Sequence, residues 1–488
     1  MSRFEHYDAI VIGAGIAGLT AAAALAHRKV PTLVVEQHNV PGGCAAYYQR
    51  DGFRFDVGAT LVGGFGPRGV HRLLNAELEI DVSPEPIEPS MIVHLPDAIV
   101  VRYGDERWRG ERLRAFGDAA EPFWRRQERI ADLAWDFSAR FPALPVDRAS
   151  IGALAHAFRP RHLGLLGTLG RTVASIMPPA PSRRLAAFVD AQLLITAQTD
   201  AAAADLAYGA TALDLAREGT FHLPDGVSTI AVALARAVRR AGSDIAYNRR
   251  VTSIETSRGR VCAVHLSDGS RIACRSVVSA LPIANAMELC SPLRAAYRAK
   301  VAALPARWGA FAAYVGLPPG VVPVDFASHH QIVTAYGVPV GEGNTAFLSF
   351  SGEGEVRRAR NGGRAVTIST HTDVARWERA QRDGTLAALR ERYTRRLLVA
   401  LDRVLPGAAA RAVVVEAATP HTFARYTGRS RGLVGGLPQT PATASLGAIS
   451  QRTPVRGLFL CGDTTFPGQS TVGATLSGYN AARSAAAS

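Results

Sequence analysis

The sequence is almost without lysine: of its 55 basic residues only Lys29 and Lys300 are lysines, and the rest are arginines. The net charge of +14 therefore reads, with the many alanines, as the codon bias of a GC-rich genome. A nucleic-acid partner would want a basic stripe on a recognisable module, and none is present. Cysteine is also scarce. Cys44, Cys262, Cys274, Cys290 and Cys461 are odd in number and scattered, with no Cys-x-x-Cys and no metal spacing. This excludes a disulfide framework, predicts no metal site, and sets a reducing, cytoplasmic compartment as the default. There is no internal repeat and no lipidation signal. A secretory leader is not expected, because Glu5 and Asp8 stand where a leader would be basic. Residues 9–26 carry no charge and approach the length of a membrane span, but three glycines at turn spacing interrupt them.

What is present begins at once. Residues 7–12 form a short apolar run, followed by Gly13-Ala-Gly15-Ile16-Ala17-Gly18, an alanine-rich helical stretch to about Arg28, a second apolar run at 31–35, and Glu36. The order is strand, glycine turn, helix, strand, acid. Gly13 permits the sharp turn, Gly15 lets backbone approach a pyrophosphate, and Gly18 allows helix and strand to pack closely. The helix N-terminus offers N–H groups to phosphate, and Glu36 is placed to accept from ribose hydroxyls. A bound adenine dinucleotide is predicted. On this stretch alone, NAD and FAD are equally good fits.

At 488 residues the chain is long enough for several domains and a large core. After Glu36 comes Pro41-Gly42-Gly43-Cys44, a turn of little bulk. Asp51-Gly52 signals a hairpin, and it is followed by Phe55-Asp56-Val-Gly58-Ala59-Thr60, where Gly58 lets backbone come near something flat. Helical periodicity dominates from about 100 to 216, broken at Met177-Pro-Pro-Ala-Pro181. Two segments there, 107–114 and 159–162, mix arginine with apolar or aromatic residues as interfacial segments do, so a membrane surface is expected as a partner. Residues 220–230 read as strand and turn feeding a helix to Arg240. Short strands follow at 244–247, 251–256, 260–267, 271–273 and 276–280, an antiparallel excursion with a hairpin at Asp268-Gly269. Residues 286–415 mix helices (293–303, 385–405) with apolar strands (308–315, 346–351, 365–372).

The C-terminal part repeats the opening logic. Residues 458–461 form a buried strand, Gly462-Asp463-Thr-Thr-Phe466-Pro467-Gly468-Gln469-Ser470 a loop, and 471–483 a helix. Asp463 suits the hydroxyls of a polyol. The helix start at Thr471-Val472 points N–H groups at a group that gains negative charge, as a reduced flavin does at its pyrimidine end. A second strand–loop–helix gives the far end of a longer cofactor its own site and favours FAD.

These residues carry a family resemblance. Gly13 to Leu19, Glu36, Pro41-Gly42-Gly43 and Phe55-Asp56-Val-Gly58 resemble the flavin amine oxidase superfamily. More narrowly, His222-Leu-Pro224-Asp-Gly226-Val, Thr419-Pro-His421-Thr-Phe-Ala-Arg425-Tyr-Thr-Gly428 and Gly462-Asp463 to Gln469 are similar to motifs of its phytoene-desaturase and carotenoid-isomerase branch, in look nearest the carotenoid 3,4-desaturases. The likeness runs the length of the chain, and the Pro-Gly-Gln loop is its most specific part. It implies a Rossmann-like α/β FAD-binding domain, discontinuous in sequence (1–95, 217–285, 416–488), with a helical, membrane-associating region (96–216) and a mixed α+β substrate domain (286–415). It places the family's second adenine contact at Val251. It implies hydride transfer from a carotenoid to flavin N5 by a desaturase, with an isomerase using reduced FAD as the alternative. Cys44 stands where many amine oxidases carry a basic residue. Neither lysine is placed to lie near N5, where amine oxidases proper keep one, which disfavours amine oxidation. A dinucleotide-binding protein with no redox turnover is the third reading. No catalytic residue stands out. His94, His329, His330, His371 and His421 are candidate proton acceptors, with His421 favoured for lying in the C-terminal signature. Cys44 and Cys461 read as small residues beside glycine turns rather than as flavin tethers.

Overall fold

The computed structural model describes residues 6–145, 151–304 and 307–487, so Glu5 lies outside the described residues. Two large sheets organise them. In the first, Asp244–Ala246, Thr32–Val35, His6–Ile12, Arg271–Ser279 and Leu458–Leu460 run parallel, and Val251–Ser257 with Arg260–Leu266 continue one edge antiparallel. The register carries across the middle: Ile10 pairs with Leu33 on one side and Val277 on the other, and Val277 with Leu458. Both faces are covered, so the strands are apolar where they pass through the core, at 9–12 and 277–278, as parallel strands require. Thr32–Val35 is buried at every position.

The helix Ile16–His27 follows the first strand and is buried at every residue from Ile16 to Ala26. It lies between Ser228–Arg240 and the closing helix Ser470–Ala486. Alanine all round is the pattern of a helix with neighbours on every side. Residues 9–26 are thus strand, turn and helix in one core, and no described helix is long and apolar enough to cross a membrane.

The second sheet has the order Val414–Ala418, Trp308–Leu317, Arg364–Asp373, Thr345–Phe350, His329–Val333, Met91–His94, Ile99–Arg102. Leu386–Val404 and Val374–Arg382 cover one face, where Trp377 and Tyr393 are buried against Phe311. Helices Arg107–Phe116, Glu121–Ser138, Arg183–Ala197 and Leu206–Leu213 form a layer over the end of this sheet.

Several boundaries move. Met91–His94 falls within 1–95 yet pairs with His329–Val333, and Val414–Ala418 straddles the 415/416 boundary while pairing with Trp308–Leu317. Ile283–Leu289 and Ser291–Ala302 are two helices rather than one, and Ile283, Ala286 and Leu293 pack beneath the first sheet. The segments 271–273 and 276–280 are one strand, Arg271–Ser279.

The interfacial reading of 107–114 is overturned. Trp108 is a core residue against Trp124 and Phe188, and Arg112 is buried between Glu121 (2.6 Å) and Glu128 (2.5 Å). Arg114 pairs with Glu111 at 2.6 Å. The apolar side of this helix meets protein.

Candidate functional site

The chain leaves Ile12 and turns at Gly13, whose φ of +98° is left-handed territory open to glycine. The turn is pinned by Gly13 N–H donating to Val35 O at 2.9 Å. A Cβ on Gly18 would lie 2.0 Å from the Gly13 carbonyl oxygen, so only glycine lets helix and turn meet. At Gly15 nothing lies within 4 Å of where a Cβ would stand. That open side faces the helix N-terminus at Ile16 and Ala17, where no side chain caps the helix and no acid sits in the first turn. The uncapped N–H groups and the positive end of the helix dipole suit a phosphate.

Glu36 stiffens this turn. One carboxylate oxygen accepts from Ala14 N–H at 2.7 Å and the other from His38 N–H at 2.8 Å. Arg249 N–H donates to Glu36 O, so residues 247–251 pass alongside; Val251 itself begins its strand buried in the core. Gly42 N–H donates to Ala14 O at 2.8 Å, and a Cβ on Gly43 would stand 3.6 Å from Gly15 Cα. The double glycine thus flanks the open side of the first turn. Gly58 and Ala59 come next: Ala59 N–H donates to Cys44 O, and a Cβ on Gly58 would lie 3.0 Å from that oxygen. Thr60 Oγ1 accepts from Ser349 Oγ at 2.8 Å, which joins this loop to the second sheet.

The second loop meets the first from the other end. Cys461 N–H donates to Ser279 O, and Gly462, at φ +113°, is held by Ser477 Oγ at 3.1 Å. Asp463 pairs with Arg429 at 2.8 Å. Thr471 is buried at the start of the closing helix, and Val472 packs against the Gly64 backbone, where a Cβ would meet its Cγ2 at 2.6 Å. Arg429 escaped sequence reasoning. The C-terminal signature ends at Gly428, one residue short of it, and nothing local ties it to Cys44 or Asp463. Burial pushes the Cys44 thiol up, against the pull of Arg429. The Cys461 thiol is raised by burial.

The candidate histidines divide. His421 sits at the start of the helix Pro420–Thr427 with the Glu378 carboxylate as its charged neighbour. His94 and His330 contact each other at 3.1 Å. His371 accepts from the Gln198 side-chain amide at 2.8 Å, and His329 Nδ1 is 2.9 Å from Ser349 Oγ. Burial lowers His371 to about 4 and His329 to about 3, so both are neutral near pH 7. His371, Ser369 and Thr367 stand opposite Ala310, Ala312 and Tyr314 in register, and Ala310, Ala312 and Tyr314 line the side of the second sheet facing Phe53 and Phe55. No lysine is on that side: Lys29 and Lys300 are both exposed, at helix ends elsewhere. Beyond Thr60, a cavity of about 20 Å³ is lined by Leu61, Met91, Ile195, Ala212, Leu213, Leu215 and Ala216 together with Ser90, Arg102, Gln192, Thr196 and Thr220.

A parallel sheet with a glycine turn at the end of its first strand and an acidic loop at the end of its last is the fold of an FAD-dependent oxidoreductase. The chain belongs to the flavin containing amine oxidoreductase family, whose pattern matches residues 16–486. Solved structures agree on the fold. An oxidoreductase from Methanosarcina mazei superposes with a TM-score of 0.62 at 15% identity, over 96% of this chain and 98% of that one. Cyclohexylamine oxidase from Brevibacterium oxydans does so with 0.62 at 16%, over 99% of each. Among curated relatives, the chloroplastic prolycopene isomerase of Daucus carota is 28% identical over 100% of this chain and 81% of its own length. The phytoene dehydrogenase of Streptomyces griseus is 29% identical over 55% of this chain and 53% of its own. FAD is the cofactor, and the glycine cradle with its open side at Gly15 fits its diphosphate.

Proposed function

We propose that this oxidoreductase acts on the conjugated chain of a carotenoid and introduces a double bond into it. The reading is carried by the likeness to a prolycopene isomerase along the whole chain and to a phytoene dehydrogenase over about half of it. The cleft behind Leu61, about 20 Å³ and lined in part by Ser90, Arg102 and Gln192, is too small as it stands to hold a polyene end. A polyene end needs an apolar slot more than an acid–base pair, because the cation that develops on hydride loss is delocalised along the conjugation. Bound FAD supplies the two-electron acceptor. The chain's residues bind, orient and exclude water. Gly13, Gly15, Ile16, Ala17 and Gly18 hold the diphosphate, with Glu36 and Val251 at the adenosine end. Gly42, Gly43, Gly58, Ala59 and Thr60 flank the middle of the cofactor, and Gly462, Asp463, Thr471 and Val472 its far end. Neutral His371, in register with Ala310 and fixed by the Gln198 amide that donates to its Nε2, is better placed than His421 to orient the substrate end.

A second reading, cis–trans isomerisation of a carotenoid with reduced FAD, is favoured by the full-length likeness to prolycopene isomerases, whereas the phytoene dehydrogenase likeness spans about half the chain. The substrate lives in a membrane, and we place the docking surface at 151–171. Ile151, Leu163, Leu166 and Leu169 are between 45 and 57% exposed there, with Arg159 and Arg161 beside them. The segment ends at Arg171, whose carbonyl accepts from Leu206 N–H, at the start of the helix whose Ala212 and Leu213 line the cavity. Basic and apolar residues together suit an anionic lipid surface.

Incubating the flavin-loaded protein anaerobically with acyclic carotenoids tests the reading. Desaturation bleaches the oxidised flavin stoichiometrically with a longer chromophore. Isomerisation requires prior reduction and changes geometry alone. An unchanged pigment profile across all-trans and cis substrates overturns both.

A further inference from the structure

Arg429 is a charged side chain built into the interior beside the cofactor cradle. Its side chain is 12% exposed. Nε donates to Leu433 O at 2.5 Å and Nη2 to Asp463 Oδ2 at 2.8 Å, and the Cys44 thiol lies against the same guanidinium. Three segments far apart in sequence therefore meet at one group: the loop after the double glycine, the stretch after Gly428, and the terminal loop. The stretch is held tightly, since a Cβ on Gly436 would come 2.1 Å from the Asp463 carbonyl oxygen. Cys44 follows Gly43, which packs 3.6 Å from Gly15 on the open side of the first turn.

The electrostatics leave this cation work to do. Glu36 and Asp463 put two carboxylates into the cradle. A dinucleotide adds a doubly negative diphosphate. Like charges crowded into a part-buried site repel strongly unless a counter-charge is built in. A guanidinium has five N–H donors in a fixed fork, and the contacts to Leu433, Asp463 and Cys44 use three of them.

We propose that Arg429 is the counter-charge for the FAD diphosphate: it neutralises Asp463, donates to the diphosphate, and so ties the C-terminal loop to the N-terminal glycine turn when the cofactor binds. This rests on the FAD assignment and adds a residue from outside both glycine motifs.

The test is titration of flavin-stripped protein with FAD, followed by quenching of flavin fluorescence, and with ADP as a competitor carrying the diphosphate without the flavin. Arg429→Met is expected to weaken FAD and ADP alike by at least about tenfold, the scale of a lost charge-assisted contact. Arg429→Lys keeps the charge without the fork and is expected to fall between. Cys44→Arg in the Arg429→Met background brings a guanidinium to the same place and is expected to recover most of the loss. Wild-type affinity in Arg429→Met, loss of FAD without loss of ADP, or no recovery in the double variant each overturns the proposal. If Arg429→Met does not fold, an Arg429→Lys protein that binds FAD like wild type does so. Failure of wild-type apoprotein to bind FAD strikes the cofactor assignment instead.

Discussion

Gly478 on the closing helix faces the backbone of Ala17 on the opening helix so closely that a Cβ at 478 would lie 2.1 Å from the Ala17 carbonyl oxygen. The contact sets the distance between the first helix of the cradle and the last. Gly478→Ala is expected to force the helices apart and to cost at least about 1–3 kcal/mol, as overpacking does. It should also lower the flavin-to-protein ratio, because the two helices start at Ile16 and Ser470, beside the cradle. Denaturant unfolding and the 450/280 nm absorbance ratio of the purified variant check this.

Asp463→Ala removes the partner of Arg429 and the carboxylate of the terminal loop. It is expected to purify with markedly less flavin than wild type. Full flavin occupancy in this variant would count against the far-end assignment.

His71 is buried, stacked 4.9 Å from Phe65, and contacts Thr475 Oγ1 at 3.4 Å. Burial lowers it to about 4, against an unfolded value near 6.5. Between those values the unfolded chain binds a proton that the folded one refuses. Stability is therefore full above pH 6.5 and falls as pH drops toward 4, by about 3 kcal/mol for this group alone at about 1.4 kcal/mol per unit. His329, at about 3, adds to the same slope. Unfolding midpoints measured from pH 7 to 5 should fall, and His71→Phe should flatten the slope by up to about 1.4 kcal/mol per pH unit.

Leu163→Glu with Leu166→Glu should abolish co-sedimentation with anionic vesicles while leaving the melting temperature near wild type, because both side chains are more than half exposed. Arg112→Ala should do the reverse. It strands Glu121 and Glu128 and is expected to cost about 3–5 kcal/mol, the scale for breaking a buried pair, with no specific loss of vesicle binding.

The parts of the site that were legible are those made by neighbours in sequence. Gly13, Gly15 and Gly18 declare their turn because its geometry needs glycine within six residues, and Asp51-Gly52 declares its hairpin in the same way. Trp108 was misread because an amphipathic helix looks alike whether its apolar side meets lipid or a distant Phe188. Arg271–Ser279 was split because its halves have different neighbours. The first alternates beside Arg260–Leu266, and the second is buried continuously between two parallel strands. Arg429 was invisible for the strongest form of that reason: its partners, Cys44 and Asp463, come from opposite ends of the chain.

The strand Leu458–Leu460 pairs with Arg271–Ser279, and the helix after it packs on Ile16–His27. During synthesis, which proceeds from the N-terminus, the opening turn emerges from the ribosome long before its last wall. Alanines 21–24, buried in the finished molecule, must then wait with one flank uncovered. Until the closing helix is made, the opening helix lacks the neighbour that completes its burial.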